Sequence, residues 1–242
     1  MRRYWTSSLM QLKSVFRLPA FWIPTLIFPP MLYAMFGAGG SGPAANYPMA
    51  SFAVFGVIGV ALFQFGVSIA QDRETHWERY RRTLPGAFGP RLAAQLVSAL
   101  VFSLLVVALV VLAALILSEP TLDLLGYIKL GFSSLLISVP FVMMGIALGY
   151  WASSKSAVGI ANLFYLPLAY FGGLWMPPQQ LPDFVAKISP LTPTRNAAEI
   201  VWAAVGHQPV PMLSVLWLLG YTVVFAVIAY IGYNRDENRR YA

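Results

Sequence analysis

Side chains that could carry acid–base or metal chemistry are scarce in this sequence. Its 242 residues hold nine carboxylates, two histidines and no cysteine. Without cysteine, the chain has neither disulfides nor thiolate ligands for a metal. The two histidines, His76 and His207, fall on opposite sides of a membrane in the topology that the basic residues predict. A membrane-embedded hydrolase or transferase needs clustered carboxylates or histidines around a metal, so these residues give little support to catalysis.

One glycine-rich stretch has the spacing of a phosphate-binding loop. Residues 37–42, Gly-Ala-Gly-Gly-Ser-Gly, match G-x-G-x-x-G. That pattern binds phosphate only after a strand and at the start of a helix within a βαβ unit. Here it follows an apolar span, which predicts a flexible loop on the outer side. No G-x-x-x-x-G-K followed by Ser or Thr occurs, so the chain has no P-loop of its own for ATP.

Ion coupling also lacks its usual residues. Ion-driven transporters commonly place a carboxylate, histidine or lysine within the membrane, whereas no acidic residue here falls in the middle of an apolar stretch. Lys129 lies near a span end, where its long side chain can reach the interface. The polar candidates at the midplane are neutral, namely Gln64, Ser138 and Asn162. The sequence disfavours ion coupling, although a site built from backbone carbonyls stays open.

The composition indicates which elements position these residues. The chain is 58% hydrophobic and 10% charged, with a mean hydropathy of +0.68, against about 25% charged residues in soluble domains. Backbone groups in lipid must be paired, which allows helices or closed barrels. Barrel strands alternate apolar and polar residues, but these stretches are apolar on all sides. We predict an all-α integral membrane protein with a single transmembrane domain over residues 1–242.

Apolar stretches of a length suited to a membrane occur six times. Crossing a ~30 Å hydrocarbon layer takes about 20 apolar residues. The first stretch contains Pro24, Pro29 and Pro30 and the fifth contains Pro167, so we expect kinks in both. The predicted spans are residues 20–36, 49–70, 92–117, 128–152, 157–175 and 212–233.

Lysine and arginine set the orientation of these spans. With both termini inside, all but three of the 16 basic residues face the cytoplasm, and the exceptions are Lys129, Lys187 and Arg195. The positive-inside rule requires this distribution. The net charge of +7 is therefore explained by topology rather than by binding to nucleic acid.

The N-terminal segment is amphipathic. Its apolar stripe recurs at helical spacing through Trp5, Leu9, Leu12 and Phe16, and its basic residues lie mostly off that stripe. Such a helix suits the cytoplasmic headgroup layer. The alternative is the basic start of a signal peptide, which is less favoured because no short apolar stretch with an Ala-x-Ala-type cleavage site follows.

The most charged segment, residues 71–84, lies between spans two and three on the predicted cytoplasmic side. Glu78 lies one turn before Arg81 and Arg82, within reach of ion pairs on a helix. Trp, Tyr and Arg are common anchors of protein interfaces, so the segment suits a groove on another protein. A solvated loop held at the interface by its aromatic residues is the alternative. The proposed binding face consists of Arg73, Trp77, Tyr80 and Leu84.

The segment between spans five and six, residues 176–211, is rich in proline and predicted to lie outside. Thr192 can N-cap a helix that has Pro193 at its first position and ends near Gly206. We expect a re-entrant or interfacial element, and a loop that only caps the bundle is the alternative. The apolar face of the helix would comprise Ala197, Ile200, Val201 and Ala204.

Small residues recur on one side of span four, at Gly145, Gly149 and Ser153. This spacing allows two helices to approach closely. Contact with another helix of the same chain is favoured over contact between chains.

Two stretches resemble the type-2 ABC transporter permeases, the membrane subunits of drug-, lipid- and polysaccharide-type exporters. Residues 72–79 (DRETHWER), followed by Thr-Leu-Pro at 83–85, are similar to the coupling region of that family after span two. Residues 171–177 (FGGLWMP), then Leu-Pro at 181–182 and ISPLTP at 188–193, are similar to its outer segment after span five. With the six-span layout, the resemblance covers nearly the whole chain.

The resemblance implies partners and a division of roles. The helix at residues 4–17 would be an interfacial elbow helix, and residues 73–84 would be the coupling helix, seated in a groove on a separate ABC-type ATPase. Two copies of that ATPase, carrying ATP and Mg²⁺, would serve a homodimer or a pair of permeases in the cytoplasmic (inner) membrane of a bacterium or archaeon. The implied ATPase contacts are Arg73, Glu74, Trp77, Glu78, Tyr80, Arg81 and Leu84. The implied outer gate comprises Phe171, Trp175, Met176 and Pro177.

The resulting expectation is a permease subunit of an exporter without catalytic, cofactor-binding or metal-ligating residues of its own. It would move an amphiphilic or hydrophobic substrate by alternating access, and the direction is implied by the family alone. Two alternatives stay open: a non-transporting assembly or immunity factor that binds a cytoplasmic partner, and a membrane-embedded enzyme acting on lipids.

Overall fold

The computed structural model describes residues 19–75 and 88–238, which are almost entirely helical. The predicted amphipathic helix at residues 4–17 lies outside them. Two short 3-10 turns occupy Pro178–Gln180 and Ser189–Leu191, and two parallel two-residue strands are β1 (Ser41–Gly42) and β2 (Glu119–Pro120). The helices are α1 (Pro19–Phe36), α2 (Pro43–Asp72), α3 (Phe88–Leu117), α4 (Leu124–Trp151), α5 (Ala157–Phe171), α6 (Asp183–Ile188), α7 (Pro193–Val205) and α8 (Met212–Asn238).

Among the described residues, four helices are long and apolar enough to cross a membrane: α2, Gln95–Leu117 within α3, α4, and Met212–Asp236 within α8. Two shorter apolar helices, Ile23–Phe36 and Ala157–Phe171, coincide with the first and fifth predicted spans. The predicted class, an all-helical multi-pass membrane protein, is confirmed. Six crossings stay a prediction, because α5 has only 15 residues and the part of α1 whose side chains are described is limited to Ile23–Phe36.

Several helix boundaries differ from the predicted spans, and at two of them glycine or proline accounts for the difference. The second span was expected from residue 49, but α2 begins at Pro43, directly after Gly42, which has a φ of 67°. The fifth was expected to reach residue 175, but α5 ends at Phe171. Gly173 adopts a φ of 71°, and its N–H donates to the carbonyl of Tyr170. Both glycines have a positive φ, which glycine adopts at little steric cost because it lacks a Cβ.

Helix α2 forms the centre of the bundle. In its most apolar window 89% of the residues are buried, against 17% for α8, which therefore lies at the periphery. Helix α2 packs against α1, α3, α4, α5 and α7. A displacement of α2 would therefore change the packing of these five helices.

The closest helix approach is between α2 and α4. A Cβ added at Gly145 would overlap the carbonyl oxygen of Ala61, and one added at Gly149 would lie 2.7 Å from the Cβ of Ile69. On the α2 side, Val60–Val67 is π-helical, a rare backbone form that often marks functional sites. The expected contact of the small-residue stripe within the chain is confirmed for Gly145 and Gly149, whereas Ser153 lies beyond the end of α4 and bonds to Ser156.

The glycine-rich stretch is not the free loop that its composition predicts. The N–H of Gly39 donates to the carbonyl of Leu117 at 3.1 Å, and the N–H of Glu119 donates to the carbonyl of Gly40 at 3.0 Å. These bonds and the β1–β2 pair tie the α1–α2 turn to the α3–α4 turn. The expectation of a flexible loop is corrected, because a distant backbone segment satisfies its hydrogen bonds.

Candidate functional site

The predicted coupling segment starts with a turn. Gln71 and Asp72 still belong to α2, whereas Arg73, Glu74 and Thr75 form a turn. The N–H of Glu74 donates to the carbonyl of Gln71, and the N–H of Thr75 donates to that of Asp72. Of the predicted coupling helix, residues 73–84, only residues 73–75 are described, and they form this turn, so the helix stays a prediction. The other predicted contacts, Trp77, Glu78, Tyr80, Arg81 and Leu84, lie outside the described residues.

Arg73 binds the last carbonyls of α4. Its Nη1 donates to the carbonyl of Gly149 at 2.9 Å and also to the carbonyl of Tyr150. The guanidinium carbon lies 5.6 Å from the centroid of the Tyr150 ring. Carbonyls at a helix C-terminus lack intrahelical donors and carry partial negative charge. A cationic donor at this position therefore satisfies free carbonyls at the C-terminus of α4 and balances their partial negative charge.

The same arginine also reaches α8. Its Nη2 lies 3.5 Å from Oδ1 of Asp236, and the two side chains are 14% and 16% exposed. The rings of Tyr150 and Tyr233 pack edge to face at 5.5 Å beside this pair. Arg73 thus joins the end of α2 to the ends of α4 and α8 at low exposure, where an ion pair is screened less than at the surface.

Glu74 extends these contacts to the α4–α5 connection. Its Oε1 accepts a hydrogen bond of 2.8 Å from the backbone N–H of Ser154. We name the set Arg73, Glu74, Gly149, Tyr150, Ser154 and Asp236 the Arg73 junction. A force applied to the chain after Thr75 would be transmitted through it to α4, the α4–α5 connection and α8.

At the opposite end of the bundle, the structure confirms the predicted cap of α7. Thr192 Oγ1 accepts from the N–H of Arg195 at 3.2 Å, Pro193 follows it, and Gly206 ends the helix. Helix α7 packs against α2, α4, α5 and α8. Its predicted apolar face is largely buried, with Ala197 and Val201 fully inaccessible.

The polar residues of α7 are also engaged, which the apolar pattern did not predict. Thr194 Oγ1 donates to the carbonyl of Leu168 at 2.6 Å, and Trp202 Nε1 donates to Ser51 Oγ at 2.9 Å. In the sequence, the only local indication of these hydrogen bonds is that polar residues directly follow the Thr192–Pro193 cap. Further bonds join Arg195 to Glu199 at 2.9 Å and Glu199 to Ser214 at 2.6 Å.

Only part of the predicted outer gate comes together with other aromatic residues. The Trp175 ring is 37% exposed and lies 6.0 Å from the ring of Phe55 on α2. Phe55 in turn stacks on Tyr165 at 4.4 Å, and the Tyr165 hydroxyl donates to the Phe55 carbonyl at 3.0 Å. Phe171 contacts the neighbouring Tyr170, while Met176 is half-buried and Pro177 is exposed. The gate role of these four residues stays a prediction.

Comparison with known proteins bears on the whole chain. Residues 2–203 match the family described as "ABC-2 type transporter". A protein of Bacillus subtilis (strain 168) named "Putative transport permease YvfS" is 27% identical over 229 residues, covering 92% of this chain and 93% of the relative. The family match spans far more than half of the sequence and includes α2 and all but the last two residues of α7. This chain belongs to the ABC-2 type transporter family and is a multi-pass membrane component of a transporter.

Proposed function

We propose that this chain is the membrane-spanning subunit of an ATP-driven exporter whose ATPase is a separate protein. It would work in the cytoplasmic membrane of a bacterium or archaeon, with both termini inside. Two permease subunits, identical or paired, would form the path, and two ABC-type ATPase subunits would carry ATP and Mg²⁺. The family match and the name of the Bacillus subtilis relative support a transport role.

The Arg73 junction is the observation that carries the proposal. It lies at the first residue of the segment that the resemblance assigns to ATPase coupling. A coupling segment needs a stiff mechanical connection to the helices that it moves, because a force applied to a flexible connection is absorbed there. Arg73 supplies such a connection through the carbonyls of Gly149 and Tyr150 and through Asp236.

The proposed cycle uses α2 as a lever. ATP binding closes the two ATPase subunits, the coupling segments move, and the motion enters α2 and α4 at the junction. Tight packing of the π-helical part of α2 on Gly145 and Gly149 makes these two helices move together. Helix α7, held by contacts to four helices, serves as the fixed outer frame against which they move.

An amphiphilic or hydrophobic substrate fits the chemistry of the apolar spans. Trp175, which is 37% exposed and packs beside the buried Phe55, offers aromatic surface near the outer end of α5. Aromatic side chains present large apolar area with a polar tip in the case of Tyr and Trp. This surface suits a molecule with an apolar body better than a small ion.

The proposal is tested by purifying this chain in lipid nanodiscs together with the ABC-type ATPase whose gene lies nearest to its own, and measuring how much ATPase is bound. The test variant is Trp77→Ala plus Tyr80→Ala, and the control is Phe184→Ala, an aromatic residue that is 70% exposed on α6. We expect stoichiometric ATPase with the wild type and the control and none with the double variant, since aromatic anchors dominate small interfaces. Absence of ATPase from the wild-type sample contradicts the proposal and favours the assembly or immunity factor.

A further inference from the structure

A half-open apolar crevice lies between α4, α5 and α8. Its volume is about 410 Å³, and its lining is almost wholly hydrocarbon. The crevice exists because α8 packs on α4 and α7 whereas α5 packs mainly on α2, so that α5 and α8 leave a gap between them. Its walls include Ala147 and Trp151 of α4, Ile160 and Leu168 of α5, and Tyr221 and Ile228 of α8.

The crevice runs along the helices instead of forming a round cavity. Its α5 wall extends from Ile160 to Leu168, about 12 Å at a rise of 1.5 Å per residue. Its α8 wall runs between Tyr221 and Ile228. The Tyr221 hydroxyl is already bonded to the carbonyl of Leu191, so this residue presents its ring to the crevice. An elongated apolar space of this kind fits an extended hydrocarbon chain.

One end of the crevice carries exposed positive charge. The guanidinium carbon of Arg235 lies 5.2 Å from the centroid of the Trp151 ring. The Trp151 indole N–H donates to the carbonyl of Ile228 at 3.0 Å, which fixes the ring in that wall. Lys155, also exposed, follows Ala152 of the lining in the α4–α5 connection. Both cations lie at the end that the charge distribution assigns to the cytoplasm.

The nearby acidic groups of the described chain are directed to other partners. Asp236 pairs with Arg73 at 3.5 Å, and Glu74 accepts from the backbone of Ser154 at 2.8 Å. Both contacts belong to the Arg73 junction. Glu74 keeps its charge, since a backbone N–H does not neutralise a carboxylate, but the two exposed cations Arg235 and Lys155 outnumber it. The rim beside Trp151 therefore carries a net positive charge, which favours an anionic group over a neutral one.

We infer that the crevice binds one acyl chain of an anionic phospholipid from the cytoplasmic leaflet, with the phosphate held by Arg235 and Lys155. Basic pockets between membrane helices on the cytoplasmic side are suited to anionic head groups, and each basic residue adds attraction at the membrane surface. No other described helix covers the apolar walls of the crevice, and the acyl chain would cover them instead. This site does not depend on the proposed export function, since neither the ATPase nor a transported substrate takes part.

Native mass spectrometry of the delipidated full-length protein tests the charge of the site. Phosphatidylglycerol and phosphatidylcholine with the same acyl chains are added separately, and retained lipid is counted per protomer. With two basic residues, the wild type should prefer phosphatidylglycerol roughly 30-fold. Arg235→Gln plus Lys155→Gln should abolish that preference, whereas Lys129→Gln plus Lys187→Gln, two cations away from the crevice, should keep it. Equal retention of both lipids by the wild type overturns the inference.

A second variant tests the crevice itself. Ala147→Leu places a larger side chain in its wall and should lower retention of both lipids, while Ala34→Leu on the exposed face of α1 should not. Unchanged retention by a folded Ala147→Leu protein also overturns the inference. If that variant does not fold, the charge variants decide alone.

Discussion

The two ends of this bundle are held in different ways. At the predicted outer end, α7 is buried on most sides and is joined to three other helices by separate hydrogen bonds. Trp202 donates to α2, Thr194 donates to α5, and Glu199 accepts from α8. At the predicted cytoplasmic end, one side chain, Arg73, joins α2 to both α4 and α8. Removing one contact from the first end leaves the others in place, whereas removing Arg73 breaks two connections together.

This difference suits a protein in which one end is fixed and the other is moved. Packed interiors switch between discrete arrangements rather than deforming continuously. An end that moves must therefore break its contacts and form new ones in one step, which is easier when a single side chain makes most of them. Arg73 meets that requirement because a guanidinium can serve carbonyls and a carboxylate with several donors at once. The outer end, with redundant contacts, has no such single point of release.

The largest effect is expected from breaking the helix pair on which both ends depend. In Gly145→Ala, the new Cβ would overlap the Ala61 carbonyl, so the backbones of α2 and α4 would have to separate. We expect a loss of more than about 3 kcal/mol in the free energy of unfolding, at or above the usual cost of overpacking. Thermal unfolding in detergent measures it. Gly159→Ala, whose Cβ would meet nothing within 4 Å, is the control, and an equal loss there would refute the close α2–α4 contact.

Arg73→Gln should break the cytoplasmic end at a smaller cost. It removes hydrogen bonds from a charged donor and leaves Asp236 without this cation, so we expect a loss of about 1.5–3 kcal/mol in the free energy of unfolding. Arg73→Lys keeps the charge but has fewer, differently arranged donors. Its free energy of unfolding should therefore lie between those of the wild type and Arg73→Gln. Lys187→Gln is the control for loss of a cation. Equal stability of Arg73→Gln and that control would contradict the special role of the junction.

Thr192→Ala should weaken the outer end less than Arg73→Gln weakens the inner end. It removes the N-cap of α7, which typically costs about 1 kcal/mol, while the other contacts of α7 remain. Thr222→Ala removes the same two groups, a methyl and a hydroxyl, but that hydroxyl bonds only within its own helix, so this variant serves as the control. The comparison between the two ends fails if chemical denaturation shows a larger loss for Thr192→Ala than for Arg73→Gln.

The smallest effect is expected from the Arg195–Glu199 pair. The two side chains are 19% and 34% exposed and lie one helical turn apart, so their coupling should be about 0.3–0.5 kcal/mol. A double-mutant cycle with Arg195→Gln and Glu199→Gln measures it, with Lys155→Gln and Glu119→Gln as an unpaired reference cycle. A coupling several times larger would mean that the outer end also depends on a single ion pair.

Local features of this fold were readable from the sequence, and long-range ones were not. The cap of α7 was predicted because Thr192, Pro193 and Gly206 act on their own neighbours. The partners of Arg73 lie 76 or more residues away, and no local pattern indicates them. The glycine-rich turn was misjudged for the same reason, since its hydrogen bonds come from the α3–α4 turn. The π-helical part of α2 has no signature in its apolar composition.

The central claim is that the Arg73 junction transmits the state of the ATPase to α4 and α8. The chain has no cysteine, so a single spin label at Ser154→Cys reports on the junction, and the contact with Glu74 survives because it uses the backbone N–H. Electron paramagnetic resonance spectra are compared for the permease–ATPase complex without nucleotide and trapped with ATP and vanadate. We expect a spectral change in the wild-type background that is lost in Arg73→Gln while the ATPase stays bound. No change in the wild type, or the same change in Arg73→Gln, would contradict the claim.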